Sequence, residues 1–236
     1  MRGIEKRPTR DRPMQLESKP NMVPSVTGVI LAGGKSTRFS GTNKALIRIG
    51  NERILDRILR VFRPVFQEIL LVTNEPLRYL EWDVKIVADL YDVRSSLVGL
   101  HAGLFHAGGS HAFVSACDTP FLVPEFVEEI VSRVRPEIDI LIPKTASGLE
   151  PLCAVYSRRC LQPIERIFLQ GRFKIRDFFS QVRVETISEA DIRRFDENAR
   201  SFININTAGD LSEAEAAFAS FGRRASSGGD KEMNGA

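Results

Sequence analysis

Short apolar runs alternate along the chain with longer stretches in which apolar residues recur at helical spacing. The runs at 29–32, 68–73, 84–88, 112–117, 139–143, 152–156 and 182–187 are too short for helices and rich in β-branched and other apolar residues. They read as buried strands. Between them, Ile54, Leu55, Ile58, Leu59 and Phe62 mark one face of a helix, with Pro64 placed just past its end. A second helix covers 97–107, and its Gly99 and Gly103, four apart, let the backbone lie close to the sheet or to a ligand. Phe126, Val127, Ile130, Val131 and Val134 mark a third over 125–134, and 158–169 reads as a fourth despite Pro163. A last helix follows Thr207, where Asp210 three residues on completes a capping signal. Gly50-Asn51 signals a hairpin turn, so a short β-ribbon follows Lys44. Strands alternating with helices predict an α/β fold with a mostly parallel sheet and right-handed crossovers.

Polar residues cluster at the carboxyl ends of these strands. The first run stops at Gly33-Gly34, and a basic segment follows, carrying Arg38 and closing at Gly41 and Lys44. Paired glycines let backbone N–H groups approach a ligand that a Cβ would hold away. Arg38 and Lys44 bring positive charge to the same mouth, which is how α/β proteins cradle phosphates. The blander alternative is an ordinary glycine-rich turn with solvated charges. Gly-x-Gly-x-x-Gly is absent, and Phe39 stands where a Walker-type loop counted from Gly34 needs its second glycine.

Three other strands end in Thr73-Asn74, Asp89 and Asp118, and the rule for open α/β sheets gathers such residues along one crevice. Beside a phosphate cradle, Asp118 supplies the hard carboxylate that Mg²⁺ takes together with phosphate oxygens; otherwise it caps the turn at Thr119-Pro120. Asp89 is either a ligand contact or bonded to its own loop, and Asp92 is an alternative to it. Asn74 is a base contact or a turn residue. Arg172, Lys174 and Arg176 suit an anionic second substrate, or form a solvated face. No Gly-x-Ser-x-Gly elbow occurs, and neither His101 nor His106 lies beside a nucleophile in sequence. Positioning and charge neutralisation suit nucleotidyl transfer, because a phosphate acceptor is already nucleophilic at neutral pH.

Composition narrows the setting. With 43% hydrophobic and 27% charged residues among 236, the chain is an ordinary globular protein. Residues 1–20 hold six basic and three acidic side chains, which accounts for the whole net charge of +3. The body is therefore balanced and offers no argument for nucleic acid. No apolar run has the length of a membrane span, and the N-terminus lacks a signal-peptide core, so no membrane is expected. Three cysteines without metal-like pairing, Cys117 and Cys153 reading as buried thiols, point to a reducing cytoplasm. His101, His106 and His111 are spaced by five and do not share a helix face, which argues against zinc. Residues 1–24 read as a disordered basic tail, 25–221 as the folded domain and 222–236 as a second disordered tail.

Leu31-Ala-Gly-Gly-Lys-Ser-Thr-Arg-Phe-Ser-Gly-Thr-Asn-Lys44 resembles the signature loop of the MobA-type molybdenum cofactor guanylyltransferases. The resemblance continues through Ala116-Cys-Asp-Thr-Pro-Phe121, Glu150-Pro-Leu-Cys-Ala-Val-Tyr156 and Asn204-Ile-Asn-Thr207, and spans about residues 26–221. It implies a three-layer Rossmann-like nucleotidyltransferase fold with a mostly parallel twisted sheet. It also implies GTP and Mg²⁺ as ligands, transfer of GMP to the terminal phosphate of Mo-molybdopterin, and release of pyrophosphate. Leu31, Ala32 and Gly33 would then contact GTP, Lys44 would hold its phosphates and Asp89 would contact the nucleotide. Asp118 would bind Mg²⁺ and GTP, and Arg38 would be a further phosphate ligand. Apo-molybdoenzymes and other cofactor-biosynthesis proteins are the implied protein partners.

This chain departs from the family pattern at four places. Phe39 and Ser40 stand for Met and Gly, Asn43 stands for Asp before Lys44, and Ser95-Ser-Leu-Val-Gly99 stands for Gly-Pro-Leu-x-Gly. The asparagine that some members use for guanine does not align, because Val72 falls at its position and Asn74 lies two further on. Rival readings are a CTP-dependent molybdopterin cytidylyltransferase, a sugar-phosphate nucleotidyltransferase, and a non-catalytic nucleotide-binding chaperone of molybdoenzymes. Gly33 disfavours the first, whose members resemble Leu-Ala-Ala there. The short body disfavours the second, and intact Lys44 and Asp118 disfavour the third.

Overall fold

The computed structural model of the chain describes residues 25–33 and 43–216. Both expected tails, and the segment from Gly34 to Thr42, lie outside the described residues. The strands are β1 (Val26–Leu31), β2 (Arg48–Ile49), β3 (Glu52–Arg53), β4 (Ile69–Val72), β5 (Lys85–Val87), β6 (His111–Ala116), β7 (Ile140–Thr145), β8 (Gly148–Leu149), β9 (Cys153–Ser157) and β10 (Val184–Ile187). The helices are α1 (Ile54–Val65), α2 (Ser96–His106), α3 (Pro124–Ser132), α4 (Leu161–Phe168) and α5 (Glu189–Arg193), and a further helix runs over 208–216. The main sheet has the order β10-β7-β9-β6-β1-β4-β5, with β8 paired to β7, while β2 and β3 form the separate ribbon expected at Gly50-Asn51.

Strands β6, β1, β4 and β5 are parallel neighbours, and β10 is parallel to β7. Strand β9 runs antiparallel to both β6 and β7. The sheet is thus mixed and mostly parallel. Alternation of side chains sorts its residues between two helical layers. Ile30, Leu71 and Phe113 face the layer of α1 and α3, while Val29, Leu31, Leu70, Val72 and Val114 face that of α2 and α4. In the first layer Phe62, Phe66 and Phe113 pack with ring centroids 4.9–5.7 Å apart. Helix α1 is amphipathic, burying Ile54, Leu55, Ile58, Leu59 and Phe62. Helix α2 is apolar nearly all round, because it lies between the sheet and α4.

One helix end differs from the sequence expectation. Pro64 lies inside α1 rather than beyond it. In the last turn a proline forfeits a single N–H bond, and the Phe66 N–H still reaches the Phe62 carbonyl at 2.9 Å. The capping signal before the last helix is formed as expected. Asp210 Oδ2 accepts from the Thr207 N–H at 3.0 Å, and Thr207 Oγ1 accepts from the Asp210 N–H at 3.1 Å.

The two glycines of α2 have different reasons. A Cβ on Gly103 would stand 2.6 Å from Val29 Cγ1, so only glycine lets α2 rest on β1 there. A Cβ on Gly99 would meet Leu31 at 3.5 Å, an ordinary contact. Gly103→Ala should therefore lower stability by about 1–2 kcal/mol in urea unfolding, overpacking outweighing the gain in helix propensity. Gly99→Ala should raise stability by up to about 1 kcal/mol. Equal effects at the two positions would contradict this packing account.

Candidate functional site

The parallel register brings four strand ends into one row. Leu31 lies opposite both Val72 and Ala116, and Val72 opposite Val87. Backbone bonds carry the pairing one residue further. Ala32 N–H donates to the Val72 carbonyl at 2.9 Å, Thr73 N–H to Val87 at 2.9 Å, and Cys117 N–H to Leu31 at 3.0 Å. Gly33, Asn74, Asp89 and Asp118 therefore emerge along one edge of the sheet. The chain leaves β1 towards β4 on one side, while β6 pairs on the other, so this edge is a topological switch point.

Lys44 reaches this edge from a 3-10 turn, Lys44–Leu46, which Asn43 caps by accepting from the Ala45 N–H at 3.1 Å. Its Nζ lies 3.0 Å from Asp118 Oδ2 and 2.7 Å from Asn206 Oδ1. The Lys44 and Asp118 side chains are 19% and 20% exposed, so the pair is shielded but still open to solvent and to a ligand. Asn206 is fixed by its neighbours. Buried Ile205 donates its N–H to the Asp118 carbonyl at 2.9 Å, and Asp210 accepts from the Asn206 N–H at 2.7 Å. The sequence reading did not single out Asn206 as a site residue. Its signal was the polar-apolar-polar alternation Asn204-Ile-Asn206 just before a helix cap.

Leu31 and Ala32 are buried, so only their backbones face the edge. Gly33 is exposed, and a Cβ there would meet no described atom within 4 Å. Packing among the described residues therefore gives no reason for glycine at this position.

Asp89 stands at the end of β5, two strands from β1, which is about 10 Å at ordinary strand spacing. It is locked to Asn74 at both ends. Asn74 Nδ2 donates to Asp89 Oδ2 at 2.9 Å, and the Asp89 N–H donates to Asn74 Oδ1 at 3.0 Å. Asn74 thus serves as the partner of Asp89. Asp92, the alternative to it, lies further along in an exposed stretch outside helix and strand.

Other candidates fall outside this constellation. Arg172 pairs with Asp177 at 3.0 Å, and Arg176 donates to the Leu149 carbonyl at 2.8 Å, so both are engaged locally. Arg38 lies outside the described residues. His101 is buried against Glu165, Tyr91 and Phe168 in the α2–α4 layer. Burial pushes the Cys117 thiol up to about 12, with the Asp118 charge adding to it, so this thiol stays protonated beside the site. Among the described residues no three of His, Cys, Asp and Glu converge, and no helix is long and apolar enough to cross a membrane.

The chain is an α/β protein whose mostly parallel sheet places a lysine, a carboxylate and a glycine that no described atom crowds at its switch point, where such folds take ligands, and a solved nucleotidyl transferase of Methanothermobacter shares the fold. Residues 28–186 match the MobA-like NTP transferase domain, and the chain belongs to that family. A molybdenum cofactor guanylyltransferase of Desulfosudis oleivorans is 48% identical over 193 residues, covering 82% of this chain and 96% of its own. A probable molybdenum cofactor guanylyltransferase of Pelotomaculum thermopropionicum is 36% identical, covering 80% and 91%. The crystal structure of molybdopterin-guanine dinucleotide biosynthesis protein A from Archaeoglobus fulgidus superposes with a TM-score of 0.73 at 30% identity, covering 82% and 99%.

The Asn74–Asp89 lock has a pH signature. Burial raises the Asp89 carboxyl above the ordinary aspartate range, and the Asn74 hydrogen bond opposes that rise. A raised folded-state value means that the associated stability is complete below the unfolded pKa and is lost as pH rises through the folded one. Asn74→Ala should move the Asp89 titration still higher in a carboxyl-carbon NMR titration and steepen that loss. An unchanged or lower midpoint would show that Asn74 does not stabilise the charged form.

Proposed function

We propose that this chain transfers the GMP moiety of GTP to Mo-molybdopterin and releases pyrophosphate. One observation carries the reading: Lys44 Nζ sits 3.0 Å from Asp118 just past β6, beside a glycine that no contact among the described residues requires. The names of the relatives supply the base and the acceptor.

In the proposed reaction the terminal phosphate of the acceptor attacks the α-phosphorus of GTP. The bond from the α-phosphorus to the bridging oxygen breaks, and pyrophosphate departs with the electron pair. The attacking phosphate is already ionised at neutral pH, so no general base is needed. This chain's part is to align the reactants and to hold negative charge. The Gly33 backbone N–H and the Lys44 ammonium bind the triphosphate, and Asn206 keeps the ammonium in place. Asp89, about 10 Å along the edge, contacts the nucleoside end.

The donor set fits Mg²⁺. Asp118 is one hard, partly exposed carboxylate, and among the described residues only its Oδ2 has a partner. Mg²⁺ is ordinarily held by one or two carboxylates plus substrate phosphates, not by a protein cage. When bound, it would neutralise charge developing on the phosphates. Three free thiols support a reducing cytoplasm as the place where the protein works.

The purified protein, given Mg²⁺, Mo-molybdopterin and each nucleoside triphosphate in turn, should release pyrophosphate with GTP. Release with CTP alone would falsify the guanylyl assignment. Asp118→Asn should cut turnover by roughly 100-fold or more while leaving the melting temperature near that of the parent. Near-normal turnover would take Asp118 out of the metal site. Gly33→Ala should leave stability within about 0.5 kcal/mol, as expected for a surface change. It should nevertheless weaken GTP binding about tenfold or more, because the new methyl group would stand between the backbone and the phosphates. A variant that binds GTP as the parent does would remove Gly33 from the phosphate contact.

A further inference from the structure

The hydroxyl of Tyr79 lies between the two chain ends that carry Gly33 and Lys44. Tyr79 closes the 3-10 turn Pro76–Tyr79 after β4 and is wholly buried beside Trp82, with ring centroids 5.9 Å apart. Asn43 Nδ2 donates to the Tyr79 hydroxyl at 2.7 Å. The hydroxyl in turn donates to the Ala32 carbonyl at a longer 3.4 Å. An amide nitrogen can only donate and a phenol has one proton, so the direction of the chain is fixed. It runs from the Asn43 amide to the Tyr79 hydroxyl to the Ala32 carbonyl. Burial pushes the phenol up to about 12, so the proton is in place at neutral pH.

Both ends of this chain are anchored elsewhere. The Ala32 N–H is bonded to the Val72 carbonyl at 2.9 Å, which ties the residue before Gly33 to the sheet. Asn43 Oδ1 accepts from the Ala45 N–H at 3.1 Å, which starts the turn that carries Lys44. The Asn43 side chain is thus used at both ends, one for the Lys44 turn and one for Tyr79. A buried tyrosine hydroxyl needs partners, yet packing alone does not require these two. They are the backbone just before Gly33 and the residue just before Lys44.

We infer that Tyr79 is a positioning residue for the nucleotide phosphates. Acting through Asn43 and Ala32, it fixes the Gly33 backbone and the turn that carries the Lys44 ammonium relative to one another. The inference rests on the proposed GTP reading and adds to it a residue outside the glycine-rich loop.

The test compares Tyr79→Phe, Asn43→Ser and the double variant with the parent, all as the full chain. Serine still caps the Lys44 turn but is too short to reach Tyr79. Calorimetric GTP affinity, KM for GTP, KM for Mo-molybdopterin and kcat would be measured, with amide exchange at Ala45–Ile47 as a readout independent of turnover. Breaking the chain should raise Kd and KM for GTP about tenfold in each single variant, through loss of the Asn43–Tyr79 bond in Asn43→Ser and of both hydroxyl bonds in Tyr79→Phe. The acceptor KM should stay within about twofold. The double variant should be no worse than Tyr79→Phe, which already breaks both bonds of the chain. Amide exchange at Ala45–Ile47 should quicken in Tyr79→Phe, far from the altered atom in sequence.

GTP constants unchanged in Tyr79→Phe, with only the melting temperature lowered, would make Tyr79 a packing residue and overturn the inference. Effects of the two substitutions that simply add would overturn it as well. If Tyr79→Phe does not fold, Asn43→Ser alone decides by the same constants. A parent chain that binds no GTP overturns the guanylyl reading together with this inference, whereas a GTP-active parent with unaffected variants overturns the inference alone.

Discussion

Strand β1 lies inside the sheet with both faces covered, so its backbone N–H and C=O groups must be paired within the protein. They are paired with β4 on one side and β6 on the other, and this obligation places nearly everything else. The same ladder continues past the strand end, through Ala32 to Val72 and Cys117 to Leu31. Asp118 consequently leaves β6 beside the point where the chain leaves β1. The site is a consequence of sheet register before it is a matter of side chains.

Onto that edge the fold brings groups from distant parts of the sequence. Lys44 meets Asp118 across 74 positions and Asn206 across 162. None of these residues is a nucleophile, and the one thiol beside them is held protonated by burial. The chemistry left to such a site is placement and charge compensation, for which phosphoryl groups are the natural ligands. Rigidity then matters more than acid–base tuning. The paired bonds between Asn74 and Asp89 at one end of the edge, and the anchoring of Asn206 through Ile205 and Asp210 at the other, supply it.

Much of the fold was legible in the pattern of apolar residues, because strand and helix periodicities follow from local geometry. Apart from the two-residue β8, the strands from β1 to β10 and helices α1 to α4 fall on the expected segments to within a few residues. The direction of β9 was not legible. A run such as Cys153-Ala-Val-Tyr156 reads the same whichever way it pairs, and only its place between β6 and β7 makes it antiparallel. Pro64 misled because proline is a helix breaker in general but costs little in a last turn. The Asn43 departure from the family pattern acquires a reason only in three dimensions, where its amide donates to Tyr79 in a way no carboxylate could.

By itself the sequence determined the α/β class, the strand ends that carry polar groups, and the candidacy of Gly33, Lys44, Asp89 and Asp118. Those features are local, since they depend on which residue follows which apolar run. Tertiary structure alone decided that Lys44 pairs with Asp118 and Asn206, that Asp89 stands two strands away with Asn74 as its partner, and that Tyr79 lies between Asn43 and Ala32. Each is a contact between segments far apart in the chain. Which segments meet is set by strand order and register, which are properties of the assembled sheet.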